Sequence, residues 1–221
     1  PLLRQALLAC PAGWAPQEVM AELQRSHLLT AARGMMFIEE QRKVIALLAE
    51  HGIPVIPYKG VFLAEQLYGD ASLRPTGDID LIVHPDDVMR AKVLLVENRG
   101  YAPDYAFHSA QQEQLYIEQL HHYGLAQAQS RIRVEIHWEL AQKGYGFAVD
   151  WPGIWQRAEP IVWHDVPVRQ LASEDLFVLL AIHGGKHQWQ SLRWLADEVA
   201  LVRQTPNLNW TDICARARAW R

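Results

Sequence analysis

The clearest chemistry in this chain lies in two aspartates separated by one residue, in Gly77-Asp78-Ile79-Asp80-Leu81-Ile82-Val83. Side chains alternate faces along a strand, so Asp78 and Asp80 point one way while Ile79 and Leu81 point into a core. Two carboxylates on one face at the entrance of a buried strand repel each other unless a cation sits between them. Magnesium suits a site built of carboxylate and phosphate oxygens. A third acid, Glu135, lies in Arg133-Val134-Glu135-Ile136-His137-Trp138. There Val134, Ile136 and Trp138 share the core face, while Glu135 and His137 share the other. Read singly, Glu135 is an ordinary solvent-facing strand residue. Read with the two aspartates, it is the third ligand that a two-metal site requires.

Basic groups flank these acids. Lys59-Gly60 follows an apolar stretch and opens a helix, where a glycine lets a phosphate approach the backbone N–H groups. Arg74 lies in the loop just before the acidic strand and is expected to hold another phosphate oxygen, with Lys59 on the same cleft. His183 and His187 are spaced i, i+4 on one helix face, a spacing that can hold zinc. Gly184 stands where a general-base glutamate would be needed, however, and no third ligand is evident. Two readings remain: the segment packs against the core, or it lines the cleft with Lys186 or a nearby histidine reaching a bound ligand and Asp197 on the next helix orienting Lys186 or that ligand. His121 and His122 are adjacent, which on a strand sends them to opposite faces.

The elements that must position these groups are legible in outline. Helical sequence opens at Glu18, and a longer helix runs from about Met35 to the glycine stop at His51-Gly52. Residues 53 to 58 read as a strand that Pro54 and Pro57 place at an edge or make irregular, followed by a short helix over 61 to 68. The strand at 78 to 83 leads into a helix that starts at His84-Pro85-Asp86-Asp87 and ends at Asn98-Arg99-Gly100. Residues 122–127 and 131–138 form a hairpin, and 161–171 a smaller one around His164-Asp165. Three helices close the chain, beginning at Ser173, Leu192 and Thr211. The expected fold class is α+β, with N-terminal helices over 1–52, a mixed-sheet core over 53–140, and a mainly helical part over 141–221 closing the cleft.

Composition narrows the function classes. The chain has 221 residues, half of them hydrophobic and 21% charged, with a net charge of −4. No global basic field would hold it on nucleic acid, so a nucleic-acid partner is not expected. No apolar run is long enough to span a membrane, and no secretory leader is visible at the start. Cys10 and Cys214 read as unpaired thiols of a cytoplasmic protein. The start on Pro1 and the end at Arg221 inside a helical pattern are what a piece of a longer protein would show.

Several short segments together resemble the DNA polymerase β-like nucleotidyltransferase superfamily, and within it a bacterial branch of uncharacterised nucleotidyltransferases. They are Tyr58-Lys59-Gly60, Leu67-Tyr68-Gly69-Asp70, Arg74-Pro75-Thr76-Gly77-Asp78-Ile79-Asp80, Val134-Glu135-Ile136-His137-Trp138, His183-Gly184-Gly185-Lys186-His187-Gln188-Trp189 and Leu192-Arg193-Trp194-Leu195-Ala196-Asp197. The resemblance implies that Asp78, Asp80 and Glu135 hold two Mg2+ ions and that Gly60 belongs to the phosphate loop. It also implies an NTP donor, attacked in line at its α-phosphate by an acceptor hydroxyl on a small molecule, peptide or protein. Val61 stands where the superfamily usually carries a serine or a second glycine. A nucleotide-binding module without turnover and a phosphotransferase are the alternative readings.

Overall fold

The computed structural model describes residues 1–11, 13–142, 144 and 146–220. Helices α1 (Leu2–Leu8) and α2 (Gln17–Glu50) lead into β1 (Val55–Pro57), α3 (Gly60–Tyr68), β2 (Ile79–Val83) and α4 (Val88–Arg99). Then come β3 (Tyr101–Pro103), α5 (Ala110–Gln119), β4 (His122–Gln127), β5 (Arg133–His137) and α6 (Trp151–Arg157). The chain ends through β6 (Glu159–Trp163), β7 (Val166–Gln170), α7 (Ser173–Lys186), α8 (Leu192–Gln204) and α9 (Trp210–Ala219). This is an α+β fold around a five-stranded mixed sheet ordered β1-β2-β5-β4-β3, with β6 and β7 forming a separate hairpin. β1 sits at the sheet edge, where Pro57 within it and Pro54 just before it leave no inner-ladder donor missing.

Period-two alternation divides the sheet between two apolar bodies. Ile79, Leu81 and Val83 of β2, with Val134 and Ile136 of β5, pack with Val44, Ile45 and Leu48 of α2 and with Val88, Ala91 and Leu95 of α4. Ile82 of β2 and Ile56 of β1 instead join Leu176, Leu179 and Leu180 of α7. Asp80 lies on this second face, two residues before Ile82. The C-terminal helices therefore pack on the face that carries the acids. Tyr58 fastens them, its hydroxyl donating to the carbonyl of Leu179 at 3.3 Å. The β6–β7 hairpin reaches back across the sheet edge, burying Trp163, Val166 and Val168 in the same cluster as Phe37 and Val55.

Some local expectations are corrected. The N-terminal helical sequence is one 34-residue helix, α2, not two. Nothing between Gln24 and Arg33 removes a backbone donor, and the single Gly34 weakens a helix without ending it. α5, α6 and the short β3 occupy stretches that carry no strong period. Ser173 does not cap α7, which begins after Ala172 without a side-chain cap. Asp175, in the first turn of α7, is fully buried and accepts hydrogen bonds from Arg157 and Arg216, joining α6, α7 and α9.

Glu198 on α8 is buried, and neither of its carboxylate oxygens has a hydrogen-bond partner. Burial, and then the charge of Asp197, push its carboxyl up to about 8. The unfolded chain ionises Glu198 near 4.5 while the fold keeps the proton to about 8. Stability should therefore fall as pH rises across that interval and level off above it. Glu198→Gln is expected to stabilise the protein at pH 7 by roughly 1–3 kcal/mol and to give no gain at pH 4. Thermal melts at the two pH values check this, and equal gains at both would remove Glu198 as the cause.

Candidate active site

Non-local strand pairing brings the three acids together. β2 and β5 run parallel, with Asp80 directly opposite Glu135 in register. Residues opposite each other in a ladder present side chains to the same face. Asp78 joins them from the bend just before β2. One carboxylate oxygen from each of Asp78, Asp80 and Glu135 lies within 4.8 Å of the others. Such a cluster of hard oxygen donors fits Mg2+.

The charges in the cluster offset one another. Asp80 is 2% exposed, with Lys59 Nζ at 2.9 Å and His137 Nε2 at 2.9 Å from its Oδ1. Burial works against its ionisation, but the Lys59 charge and the His137 hydrogen bond prevail and hold the carboxyl far below its usual range. Glu135 is likewise desolvated, yet the hydrogen bond and charge of His137, 3.3 Å away, bring it down to about 2. Asp78 goes the other way, raised by burial and then by the negative charge of Asp80. His137 pays for its burial with two carboxylate hydrogen bonds, and their net effect raises its ring above the ordinary value.

Gly60 opens α3 beside these acids with φ +63°, a backbone conformation that side chains resist. A Cβ there would also lie 3.3 Å from the carbonyl of Asp78. Arg74, expected as a phosphate ligand, is 5% exposed and already committed. Its Nε donates to both oxygens of Asp197 at 3.1 and 3.2 Å, and Nη1 donates to the Gly60 carbonyl at 3.4 Å. Asp197, expected to orient Lys186 or a sugar, is 1% exposed and accepts instead from Arg74 and from the Tyr68 hydroxyl at 2.8 Å. A buried carboxylate needs the nearest cation it can reach, and that cation is Arg74. This pair ties α8 to the start of α3.

The C-terminal end of α7 overhangs the acids. Leu176, Leu179 and Leu180 form its buried stripe, and His183, Lys186 and His187 extend that stripe by i+3 and i+4 steps. Two hollows result. One, of about 200 Å³, is lined by Gly60, Arg74, Thr76 and Gly77, with Arg193 and Trp194 of α8. The other, of about 280 Å³, is lined by Glu135, His121, His122, His137, Leu140 and Lys186. Lys59, Asp78, His183 and His187 border both. Burial and then the Lys59 charge bring the His183 ring down to about 2, so it is a neutral imidazole at physiological pH. An apolar groove of about 390 Å³ near Ile53 and Pro160 lies away from these groups and offers no such chemistry.

Sequence reasoning missed several of these lining residues. Arg193 donates to the Pro75 carbonyl at 2.9 Å and lines the smaller hollow. Its signal was its place beside Trp194 at the start of a helix. His121 and His122 do not diverge. β4 begins only at His122, and their rings lie 4.4 Å apart. His122, Glu135 and His137 also approach closely enough to form a second candidate metal group that shares Glu135. Cys10 and Cys214 are free thiols, and among the described residues no helix is long and apolar enough to cross a membrane.

Residues 1–221 match the family described as uncharacterised nucleotidyltransferase. No curated protein matches the chain significantly. Among solved structures, ANT(2″)-Ia in complex with adenylyl-2″-tobramycin is 13% identical with a TM-score of 0.53, the match covering 83% of this chain and 96% of that one. The solution structure of the antibiotic-resistance factor ANT(2″)-Ia is 14% identical with a TM-score of 0.52, covering 84% and 91%. A nucleotidyltransferase-like protein from Paracoccidioides brasiliensis is 15% identical with a TM-score of 0.44, covering 88% and 85%. The first two share the fold.

Arg74→Ala is expected to destabilise the protein by roughly 3–5 kcal/mol, because it strands the buried Asp197 carboxylate. Removing both charges with Arg74→Met and Asp197→Leu should recover much of that loss. Urea unfolding of the single and double variants checks the coupling. A single variant as stable as the parent would return Arg74 to the role of a free phosphate ligand.

Proposed function

Because the chain belongs to the uncharacterised nucleotidyltransferase family, we propose that it moves a nucleoside monophosphate from an NTP to an acceptor hydroxyl, with Mg2+ held by Asp78, Asp80 and Glu135. The observation that carries this reading is the convergence of those three carboxylates on one sheet face beside the N-terminus of α3. The acids fit the ion by charge, donor type and spacing. Bound there, Mg2+ would neutralise phosphate charge and activate the attacking hydroxyl.

The chain's own groups supply the rest. The triphosphate belongs in the hollow at Gly60, where the backbone N–H groups of α3 and its dipole favour an anion. Lys59, 14% exposed and next to Gly60, can turn from Asp80 to a phosphate oxygen. Arg193 borders the same hollow as a further cation. Arg74, itself held by Asp197, braces the Gly60 carbonyl from the wall of that hollow and acts as a positioning residue. The α7 overhang limits water around the reacting groups, which strengthens every charge interaction there.

The reaction balances as follows. The acceptor oxygen forms a bond to the α-phosphorus, the bond from that phosphorus to the bridging oxygen breaks, and pyrophosphate leaves with the electron pair. The hydroxyl proton passes to solvent. ANT(2″)-Ia has been solved with adenylyl-2″-tobramycin, which supports a small-molecule acceptor over a long polymer.

Incubation with α-labelled and γ-labelled NTP, Mg2+ and a panel of hydroxyl acceptors tests the assignment. Label from the α-position on the acceptor is the expected result. Label from the γ-position would make the protein a phosphotransferase, and nucleotide binding without either transfer would make it a binding module. Asp80→Asn is expected to lower transfer by more than about 10²-fold, the scale on which a charge-stabilising group acts, with the folded state retained by circular dichroism.

A further inference from the structure

Lys186 is a half-buried cation without a carboxylate partner. Its Nζ donates to the carbonyl of Leu140 at 2.9 Å and lies 3.5 Å from Nε2 of His121. No acid lies within ion-pair distance of it among the described residues, whereas nearby Lys59 is paired with Asp80. Keeping an ammonium away from water without a counter-charge is costly. A lysine carries three donors; the Leu140 carbonyl takes one and the His121 ring nitrogen is in reach of a second, which leaves one for a ligand.

The surroundings repeat this pattern. The hollow that Lys186 borders holds two acids among its described lining residues, Asp78 and Glu135, and both belong to the carboxylate cluster. Its remaining titratable groups are two lysines, five histidines and Tyr58, whose hydroxyl is already donated to the Leu179 carbonyl. The Nδ1 atoms of His121 and His122 are buried without a hydrogen-bond partner. Among the described lining residues no acid outside the carboxylate cluster faces this hollow, and donor capacity is in surplus.

Geometry ties this hollow to the acceptor. If the triphosphate lies at the N-terminus of α3, pyrophosphate leaves on that side. In-line displacement then brings the acceptor oxygen from the opposite side of the carboxylates, where Glu135, His122 and Lys186 stand. We infer that the acceptor is a hydroxylated small molecule bearing an oxyanion, a phosphate or a carboxylate, which Lys186 receives in the histidine-lined hollow. The inference rests on the nucleotidyl-transfer reading for the side of attack, and on Lys186 and its neighbours for the charge.

Calorimetric titration tests it with ribose, ribose 5-phosphate, ribonic acid and glucosamine as probes. Each is run on the protein with Mg2+ alone and with Mg2+ plus an α,β-methylene NTP analogue. The two acids are expected to bind at least about tenfold tighter than ribose, as one charge-assisted hydrogen bond gives, and glucosamine no tighter than ribose. The preferred anion identifies which oxyanion the hollow takes. Lys186→Ala should abolish the preference for the anions while leaving analogue affinity within about twofold, and Lys186→Arg should keep the preference. Equal binding of ribose and both acids, or a Lys186→Ala loss confined to the analogue, would overturn the inference. The second result would assign Lys186 to the nucleotide. Failure of the analogue to bind the parent protein counts against nucleotidyl transfer, and the titrations without analogue still decide whether Lys186 receives an oxyanion.

Discussion

The carboxylate of Asp80 is the constraint around which the rest is arranged. It is 2% exposed on an inner strand of the sheet, where an isolated charge would be intolerable. Lys59 from the end of β1 and His137 from the end of β5 converge on the same oxygen. The parallel pairing of β2 with β5 then sets Glu135 beside it. The site is thus an ion cluster built into the sheet, and its members sit on rigid strands. That suits a reaction whose catalysis consists largely of positioning charge.

A second buried pair does for the glycine turn at Gly60 what Lys59 and His137 do for the acids. Arg74 and Asp197 are 123 residues apart in sequence, and both are almost fully buried. Through Nη1 the arginine also holds the Gly60 carbonyl, so the left-handed turn that opens α3 is braced from the C-terminal helices. Two of the Arg74 nitrogens are thus engaged in holding the shape of the glycine turn, and Lys59, Arg193 and Lys186 are further cations that border the two hollows.

The two faces of the sheet divide the labour. α2 and α4 cover the face made of aliphatic and aromatic side chains. The C-terminal helices cover the other only in part, meeting Ile56 and Ile82 near one end. Beyond that contact, α7 carries histidines and a lysine over the acids. The result is two hollows on either side of one carboxylate cluster, of opposite make-up. One has a glycine turn with arginines, the other has histidines with a single unpaired lysine.

Much of this was legible in the residues alone. Alternation in Asp78 to Val83 and in Arg133 to Trp138 placed the acids on one side of each strand, because strand geometry admits only that arrangement. The prolines pointed to an edge or an irregular strand, and the helix that begins at Ser173 was legible from its capping-type and apolar residues. What depended on long-range pairing was not legible. Nothing local says that β2 lies beside β5, that Asp197 turns to Arg74 and not to Lys186, or that His121 folds back onto His122. Local geometry is set by the backbone dihedrals and the side-chain period, which a short segment carries within itself. The partner of a buried charge is decided only when distant segments exclude water from it together, and that belongs to the tertiary structure.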